Sequence, residues 1–409
     1  MDDRPRWAQR LTAEREARGW SQLDTVRAIR AHSPRPLPDD KNLLRSWKRW
    51  ESGATQPDAT YQSLIAATFS TVAAAIWPVT GRSRGHSAEL VEATGLSTLD
   101  VVTRLRASAV DQPMIDALRI TADQLCTDYP HLPAQQLLTE GRAWLHRISS
   151  LLSSQLTLAQ HREVLVTAGW LALLVGCVEH DTGDRRAAEA TRQAAMSLGA
   201  EADHPEIQGW ACEMRAWFDL TRGDYPGVIA ASDEGIDLAG SSGVSVQLFA
   251  QKAKAWARLG DRRMAWVALE EGRKRLELQP RPGDIDHHFV VDPAKFDFYG
   301  MDVYNVLGEN ALAATYAGEV IQASTGSDGI PRAPMRIAEA LIAQGVVAAR
   351  EGEIEQAVAL GRAALTGDRR SLPSLLLVSR ALAAILDDRY PGEPEVRGYL
   401  DEIRALKAS

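Results

Sequence analysis

Cysteine is scarce in this sequence of 409 residues. The three cysteines, Cys126, Cys177 and Cys212, lie far apart, and none belongs to a Cys-x-x-Cys pair. A disulfide framework or a zinc site needs cysteines in closer and paired spacing. Neither is indicated, and the sequence fits a reducing compartment.

Long apolar runs are also missing. The N-terminus begins with charged residues and lacks the apolar segment of a signal peptide. The longest apolar stretch covers residues 164–178, which is shorter than the ~20 residues that a bilayer span requires. We therefore predict a buried helix there, and a cytoplasmic protein without a membrane partner.

Catalytic and cofactor motifs are absent as well. The sequence contains no phosphate-binding P-loop, no dinucleotide-binding glycine pattern and no nucleophile elbow. Asp284, Asp286, His287 and His288 share one loop, but they lack a metal-ligand spacing such as His-Glu-x-x-His, so a solvated loop is favoured. We predict a protein that is not an enzyme and that has no cofactor and no metal.

Positive charge is concentrated at one end of the chain. The whole sequence has a net charge of −8, yet residues 1–57 have a net charge of +4 and the rest −12. Phosphate attraction acts within about 10 Å at ~0.1 M salt, so a small basic segment suffices for a local DNA contact. The acidic remainder would be repelled from a duplex.

The segment from Leu43 to Gly53 has the pattern of an amphipathic helix. Its apolar residues Leu43, Trp47 and Trp50 recur at helical spacing, and Arg45, Lys48 and Arg49 occupy the other side. An aspartate before it suits the helix start, and Gly53 suits its end. Arginine forks can pair with guanine O6 and N7. The alternative is a surface helix whose charges are only solvated.

Similar signals place further helices around this segment. We predict helices over residues 7–18, 22–31, 60–69 and 72–77, with Ser21 as the N-cap of the second. Proline-bearing residues 32–40 form the loop before the cationic helix.

The string from Arg18 to Gln22, followed by Trp50-Glu51-Ser52-Gly53 and Pro57, resembles the XRE (Cro/cI-like) helix-turn-helix family. The resemblance implies a five-helix DNA-binding domain over residues 1–77, with double-stranded DNA as partner. It places DNA-contacting positions on one surface, with base contacts from Leu44, Arg45 and Arg49 and the remaining contacts from Gln22, Lys41, Ser46 and Lys48. Two such domains on half-sites about 34 Å apart imply a homodimer.

A glycine followed by an acidic residue recurs in the remainder of the chain. The pairs are Gly183-Asp184, Gly223-Asp224, Gly260-Asp261, Gly308-Glu309 and Gly352-Glu353. Small or β-branched residues stand five and twelve residues after each glycine. The glycine suits the end of one helix, the acid suits the start of the next, and small residues let paired helices approach closely.

This pattern resembles the tetratricopeptide repeat family, with longer spacings of 37 to 48 residues. The resemblance implies an all-α chain: a helix-turn-helix domain, a linker over 78–96, and an α-solenoid of helix pairs over 97–409 that senses an effector and dimerises. In such a stack the first helix of each pair lines the concave side. The effector-binding residues expected there are Trp170, Trp210, Trp217, Gln247, Lys254, Arg258, Asp302 and Asn305, with His180, Glu213 and Phe298 nearby.

The two resemblances together predict a transcriptional regulator, similar to the peptide-responsive regulators of Gram-positive bacteria. Its effector would be a short signalling peptide, a small molecule or a partner protein. The composition, rich in alanine, arginine and tryptophan, suggests an actinobacterial source. The alternative is a protein-interaction scaffold or antitoxin-like partner whose N-terminal domain does not bind DNA.

Overall fold

The computed structural model describes residues 4–33, 37–69, 71, 76–77, 112–154, 156–280, 282–367 and 369–408. Within these ranges the protein is all-α. The predicted linker over 78–96 and most of the helix predicted over 72–77 lie outside the described residues. The helices are α1 (Arg6–Ala17), α2 (Gln22–Ala31), α3 (Asp40–Glu51), α4 (Ala59–Thr68), α5 (Gln112–Asp128), α6 (Ala134–Leu152), α7 (Leu158–Asp181), α8 (Arg185–Glu201), α9 (Pro205–Arg222), α10 (Tyr225–Ala239), α11 (Val244–Arg258), α12 (Arg262–Leu278), α13 (Pro293–Leu307), α14 (Asn310–Ala323), α15 (Pro334–Glu351), α16 (Ile354–Leu365), α17 (Leu372–Arg389) and α18 (Pro394–Ala408).

Helices α1–α4 form a small N-terminal unit around the apolar side of α3. Leu43, Trp47 and Trp50 are buried, as their helical spacing predicts. The Trp47 ring meets Phe69 edge-on, with 6.0 Å between ring centroids. Asp39 begins α3, since its carboxylate accepts a hydrogen bond from the backbone N–H of Asn42 at 2.8 Å.

The recurring glycines end helices in the left-handed conformation. Their φ angles lie between 78° and 92°, at Gly183, Gly223, Gly260, Gly308 and Gly352. After each of them the acidic residue's N–H bonds to a carbonyl five residues back, as from Asp184 to Glu179 at 3.0 Å. This is the Schellman arrangement, in which a residue without a Cβ adopts positive φ at no steric cost.

Consecutive helices pack as pairs at the small positions of the repeat. The pairs are α7–α8, α9–α10, α11–α12, α13–α14 and α15–α16. The residues five positions after each glycine are fully buried, at Ala188, Val228, Ala265, Ala313 and Ala357. Gly235, twelve residues after Gly223, lies so close to α9 that an added Cβ would stand 2.7 Å from the Cβ of Cys212. The predicted packing of helix pairs is therefore confirmed.

The first helices of successive pairs also contact one another, and α17 returns to contact α7 and α9. Arg369, just before α17, forms a buried ion pair with Asp181 at 2.8 Å. Tyr129 donates to the same carboxylate oxygen of Asp181, Oδ2, at 2.6 Å. The C-terminal helices are thus held against the first repeat.

Helix α7 is the one helix among the described residues that is long and apolar enough to cross a membrane by length and composition. Of its most apolar 18-residue window, 83% is buried inside the fold. Its apolar surface is covered by neighbouring helices, which is the position expected for a core helix.

Helix α1 joins the N-terminal unit to the repeats through buried charges. Arg10 on α1 is fully buried and forms ion pairs with Asp297 on α13, at 3.3 Å, and with Glu319 on α14. Its guanidinium also lies 3.9 Å from the centre of the Tyr316 ring. Tyr316 in turn donates a hydrogen bond to Glu14 at 2.9 Å. We call these five residues the α1 joint.

The α1 joint contains more carboxylates than its arginine can neutralise. Burial raises the pKa of Glu319 to about 7, although Arg10 opposes the shift. Burial also raises the pKa of Asp297. Arg18 also pairs with Glu14, at 2.6 Å, but Asp297 and Glu319 share the single guanidinium of Arg10, so the joint favours retention of a proton near neutral pH.

Substituting alanine for glycine should have opposite effects at two helical positions. Gly235→Ala should lower the free energy of unfolding by about 1–3 kcal/mol, because the new methyl group overlaps Cys212 and Leu248. Gly318→Ala in α14 meets no atom within 4 Å and should raise it by about 1 kcal/mol through helix propensity. Urea unfolding of both variants checks this, and equal effects at the two sites would contradict close packing at Gly235.

Stability should depend on pH through Glu319. Its carboxyl has a pKa of about 7 in the folded chain against an ordinary value of 4.5, so the folded chain binds the proton more tightly. The stability that this tighter proton binding gives to the folded chain is complete below pH 4.5 and is lost as pH rises through 7. The side chain in Glu319→Gln cannot ionise, so this variant should not show that part of the loss of stability with rising pH. Thermal melts from pH 5 to 8 measure it, with exposed Glu355→Gln as the control, and parallel profiles for wild type and Glu319→Gln would refute the assignment.

Candidate nucleic-acid interface and effector cavity

The outer face of α3 presents four exposed cations: Lys41, Arg45, Lys48 and Arg49. Among the described residues, none of the four has a carboxylate within ion-pair distance, although acidic residues pair with many other arginines of the chain. The buried Leu43, Trp47 and Trp50 on the opposite side hold the helix in place. The face is therefore positively charged, accessible and supported by a rigid apolar base.

Two predicted DNA-contacting residues of α3 are less accessible. Leu44 and Ser46 are half-buried, and Leu44 packs against the apolar core of the N-terminal unit. Their contribution to the exposed face is smaller than that of the cations.

Gln22, the predicted phosphate contact, is engaged by Glu51. Its Nε2 donates to the Glu51 carboxylate at 2.5 Å, and Arg15 Nε donates to the other oxygen at 2.5 Å. Glu51 is only 4% exposed. It ties α1 and α2 to the end of α3, a role that the sequence did not indicate. A side-chain amide has two N–H groups, so one remains for phosphate.

A cavity of about 170 Å³ lies among the first helices of the repeat pairs. Its walls come from α9, α11, α13 and α15, with Asp181 at the end of α7, the loop before α13 and Ser374 at the start of α17 completing them. Of the predicted effector-binding residues, Trp217, Gln247 and Lys254 line it, as do Glu213 and Phe298. The structure thus brings part of the predicted set together around one cavity.

Other predicted effector-binding residues bond to protein partners instead. Arg258 makes two hydrogen bonds to Asp302, at 2.7 and 2.8 Å. Asn305 accepts a hydrogen bond from Arg350 at 3.3 Å. These side chains join neighbouring first helices, and none of the three lines the cavity.

Two predicted tryptophans also lie away from the cavity. Trp210 is 1% exposed, and its ring lies 5.2 Å from Phe289 between centroids. Trp170 packs against the same phenylalanine at 5.4 Å and borders a separate groove beside Leu158 and His204. His180 is buried between Trp217 and Phe218, and burial lowers its pKa to about 3. Trp210 and His180 therefore belong to the core, and Trp170 belongs to the border of the separate groove.

The cavity also contains residues that sequence reasoning missed. Gln251, Lys295, Tyr299, Arg336 and Glu339 all line it. The position of Gln251 could have been found, because it stands one helical turn after Gln247 and therefore shares its face. Lys295 and Arg336 stand in the first turns of α13 and α15, and Tyr299 and Glu339 lie further along the same helices. A single sequence gives no signal for these four.

Buried ionisable groups give the cavity an unusual electrostatic character. Burial raises the pKa of Glu213 and brings that of Glu339 to about 7. Burial, assisted by Arg336, lowers the pKa of Lys295 to about 7. By contrast, Arg258 and Lys254 overcome burial and hold the pKa of Asp302 near 2. Glu213, Glu339 and Lys295 in the cavity wall are thus poorly compensated, whereas Lys254 and Asp181 of the same wall have ion-pair partners.

In the loop before α13, Asp284 and His288 have protein partners, and Asp286 and His288 line the cavity. Thr127 donates to Asp284 at 2.8 Å, and the His288 ring lies 3.8 Å from Tyr129 between centroids. In the part of the chain that the structure describes, no group of three or more His, Cys, Asp or Glu side chains is arranged to hold a metal ion.

No protein-family model matches the chain, and no curated protein matches it.

Removing the Glu51 side chain should destabilise the N-terminal unit. Glu51→Ala leaves Arg15 without its main carboxylate and releases Gln22, which should cost about 3 kcal/mol of folding free energy. Glu16→Ala is the matched control, because Glu16 pairs with the same arginine at the exposed surface. Urea unfolding followed by tryptophan fluorescence measures both variants. Equal losses of folding free energy would show that Glu51 does not hold α1 and α2 against α3.

Proposed function

We propose that this protein is a sequence-specific DNA-binding transcriptional regulator, with an XRE-like helix-turn-helix domain over residues 1–77 and tetratricopeptide-like repeats that sense an effector. The exposed cationic face of α3 carries this proposal. A helix with cations on one side and two buried tryptophans on the other is suited to lie in a major groove. The similarity of the Arg18–Gln22 and Trp50–Gly53 strings to XRE proteins adds support.

In this proposal Arg45 and Arg49 read base edges, since a guanidinium can bond guanine O6 and N7 together. Lys41 and Lys48 bind phosphates and set the register of the helix. The free N–H of Gln22 adds a further phosphate contact from α2. One unit of this size covers few base pairs, so two copies on half-sites about 34 Å apart bind as a homodimer.

Signal transfer from the repeats to the DNA-binding unit would pass through α13. This helix contributes Lys295 and Phe298 to the cavity wall and Asp297 to the α1 joint. A ligand that moves α13 therefore changes the ion pair between Asp297 and Arg10, and with it the position of α1. To reverse a 1:99 population of two arrangements of the N-terminal unit, the ligand must bind one arrangement more tightly than the other by about 5.5 kcal/mol.

Loss of either arginine should weaken specific DNA binding. Arg45→Ala and Arg49→Ala should each cost about 1–3 kcal/mol on the preferred site and reduce discrimination between sites. Arg404→Ala, at an exposed ion pair on α18, is the control and should leave affinity unchanged. Fluorescence anisotropy with genomic fragments, repeated at rising salt, measures the affinities.

The same titration separates the proposal from its alternative. A regulator binds selected fragments tightly, and its affinity falls steeply with salt. Weak and equal binding to all fragments, unchanged in the arginine variants, would instead favour a protein-interaction scaffold or antitoxin-like partner.

A further inference from the structure

Glu213 is a buried carboxylate without a cation beside it. It is 4% exposed and lines the cavity. Gln247 and Gln251 each donate an amide N–H to its Oε1, at 2.8 and 2.7 Å. Among the described residues, no cationic side chain lies within ion-pair distance of it. A buried charge in this state is costly unless a cation joins it.

The two lysines nearest to this carboxylate are committed elsewhere. Lys254 pairs with Asp302 at 3.6 Å. Lys295 donates its ammonium hydrogens to the backbone carbonyls of His288, at 2.6 Å, and Val290, at 3.0 Å. The positive charges of both lysines therefore act on Glu213 from a distance, but neither lysine forms an ion pair with it.

Two further acceptors in the cavity wall lack donors. Gln247 and Gln251 are 5% and 3% exposed, and the Oε1 atom of each is buried without a hydrogen-bond partner. Their orientation follows from Glu213, because a carboxylate only accepts and so draws both amide nitrogens toward itself. The amide oxygens are left without donors, buried just behind the surface of the cavity, so that a small rotation of either side chain would bring them to a ligand. A buried acceptor without a donor costs about 1–3 kcal/mol.

We propose that this cavity binds a small molecule bearing a protonated primary amine, held by Glu213 and by the amide oxygens of Gln247 and Gln251. An ammonium group has three N–H donors and one positive charge, so it meets three acceptors and compensates the carboxylate. The site itself stands on this geometry, and only the ligand's role as effector rests on the proposed function.

The remaining walls suit the carbon skeleton of such an amine. Trp217, Phe298 and Tyr299 line the cavity, and aromatic faces attract cations and apolar groups. Trp217 is held by a hydrogen bond from its Nε1 to Ser374 at 2.8 Å. Arg336 also lines the cavity and has no ion-pair partner among the described residues, so a carboxylate on the same ligand has a place to bind.

Calorimetric titration of the full chain tests the proposal with three probes. Phenethylamine carries the amine, 2-phenylethanol replaces the amine by a hydroxyl, and L-phenylalanine adds a carboxylate. Phenethylamine should bind about tenfold or more tightly than 2-phenylethanol. Tighter binding of L-phenylalanine identifies an amino acid-like ligand, and tighter binding of phenethylamine identifies a simple amine. Either order supports the amine site.

Two variants link the binding to the acceptors. Glu213→Gln and Gln251→Leu should each weaken phenethylamine binding about tenfold, and exposed Glu355→Gln should leave it unchanged. Circular dichroism melts verify folding, and Gln251→Leu serves if Glu213→Gln does not fold. Absence of heat with both amines, equal affinity for amine and alcohol, or binding that neither variant weakens would overturn the proposal.

The same titration keeps this inference separate from the DNA-binding proposal. No DNA is present, so amine binding by Arg45→Ala and wild type should be equal even if the chain binds no operator. If the amine binds but anisotropy shows no effect on DNA affinity, the site stands and its role as effector site fails.

Discussion

Close approach of paired helices is the constraint on which the repeat region depends. The turn between the two helices of each pair contains a glycine in the left-handed conformation. The two helices contact each other at small side chains, as at Gly235 against Cys212. Because the second helices pack outside, the first helices of successive pairs face one another. Polar side chains on those inward faces are then desolvated together. The cavity and its uncompensated charges follow from this geometry.

Helix α13 connects the cavity to the N-terminal unit. Phe298 and Lys295 on its inner face line the cavity, whereas Asp297 between them reaches Arg10 of α1. Adjacent positions on a helix point about 100° apart, so one helix can serve both contacts. The α1 joint consists mainly of charged groups, and charged contacts of this kind respond to proton binding and to small displacements more than an apolar seam does.

Local patterns predicted much of the N-terminal unit and of the repeat. The spacing of Leu43, Trp47 and Trp50 predicted the buried side of α3, and the exposed arginines follow from the same periodicity. The tryptophans of the repeats were harder to interpret. Trp217 lines the cavity while Trp210, about two turns earlier in the same helix, is core, because the choice depends on which neighbour reaches each ring. Here Phe289, from a loop distant in sequence, covers Trp210.

The sequence by itself determined the helices, their ends and their pairing, since periodicity, capping residues and glycine turns act within a few residues. Tertiary structure alone decided the contacts between distant segments. Arg10 meets Glu319, Arg369 meets Asp181, and Glu213 gathers two glutamines from α11, and none of these pairings leaves a periodic trace. The physical reason is that a buried charge selects its partner by position in space, and that position is set only when all the helices have packed.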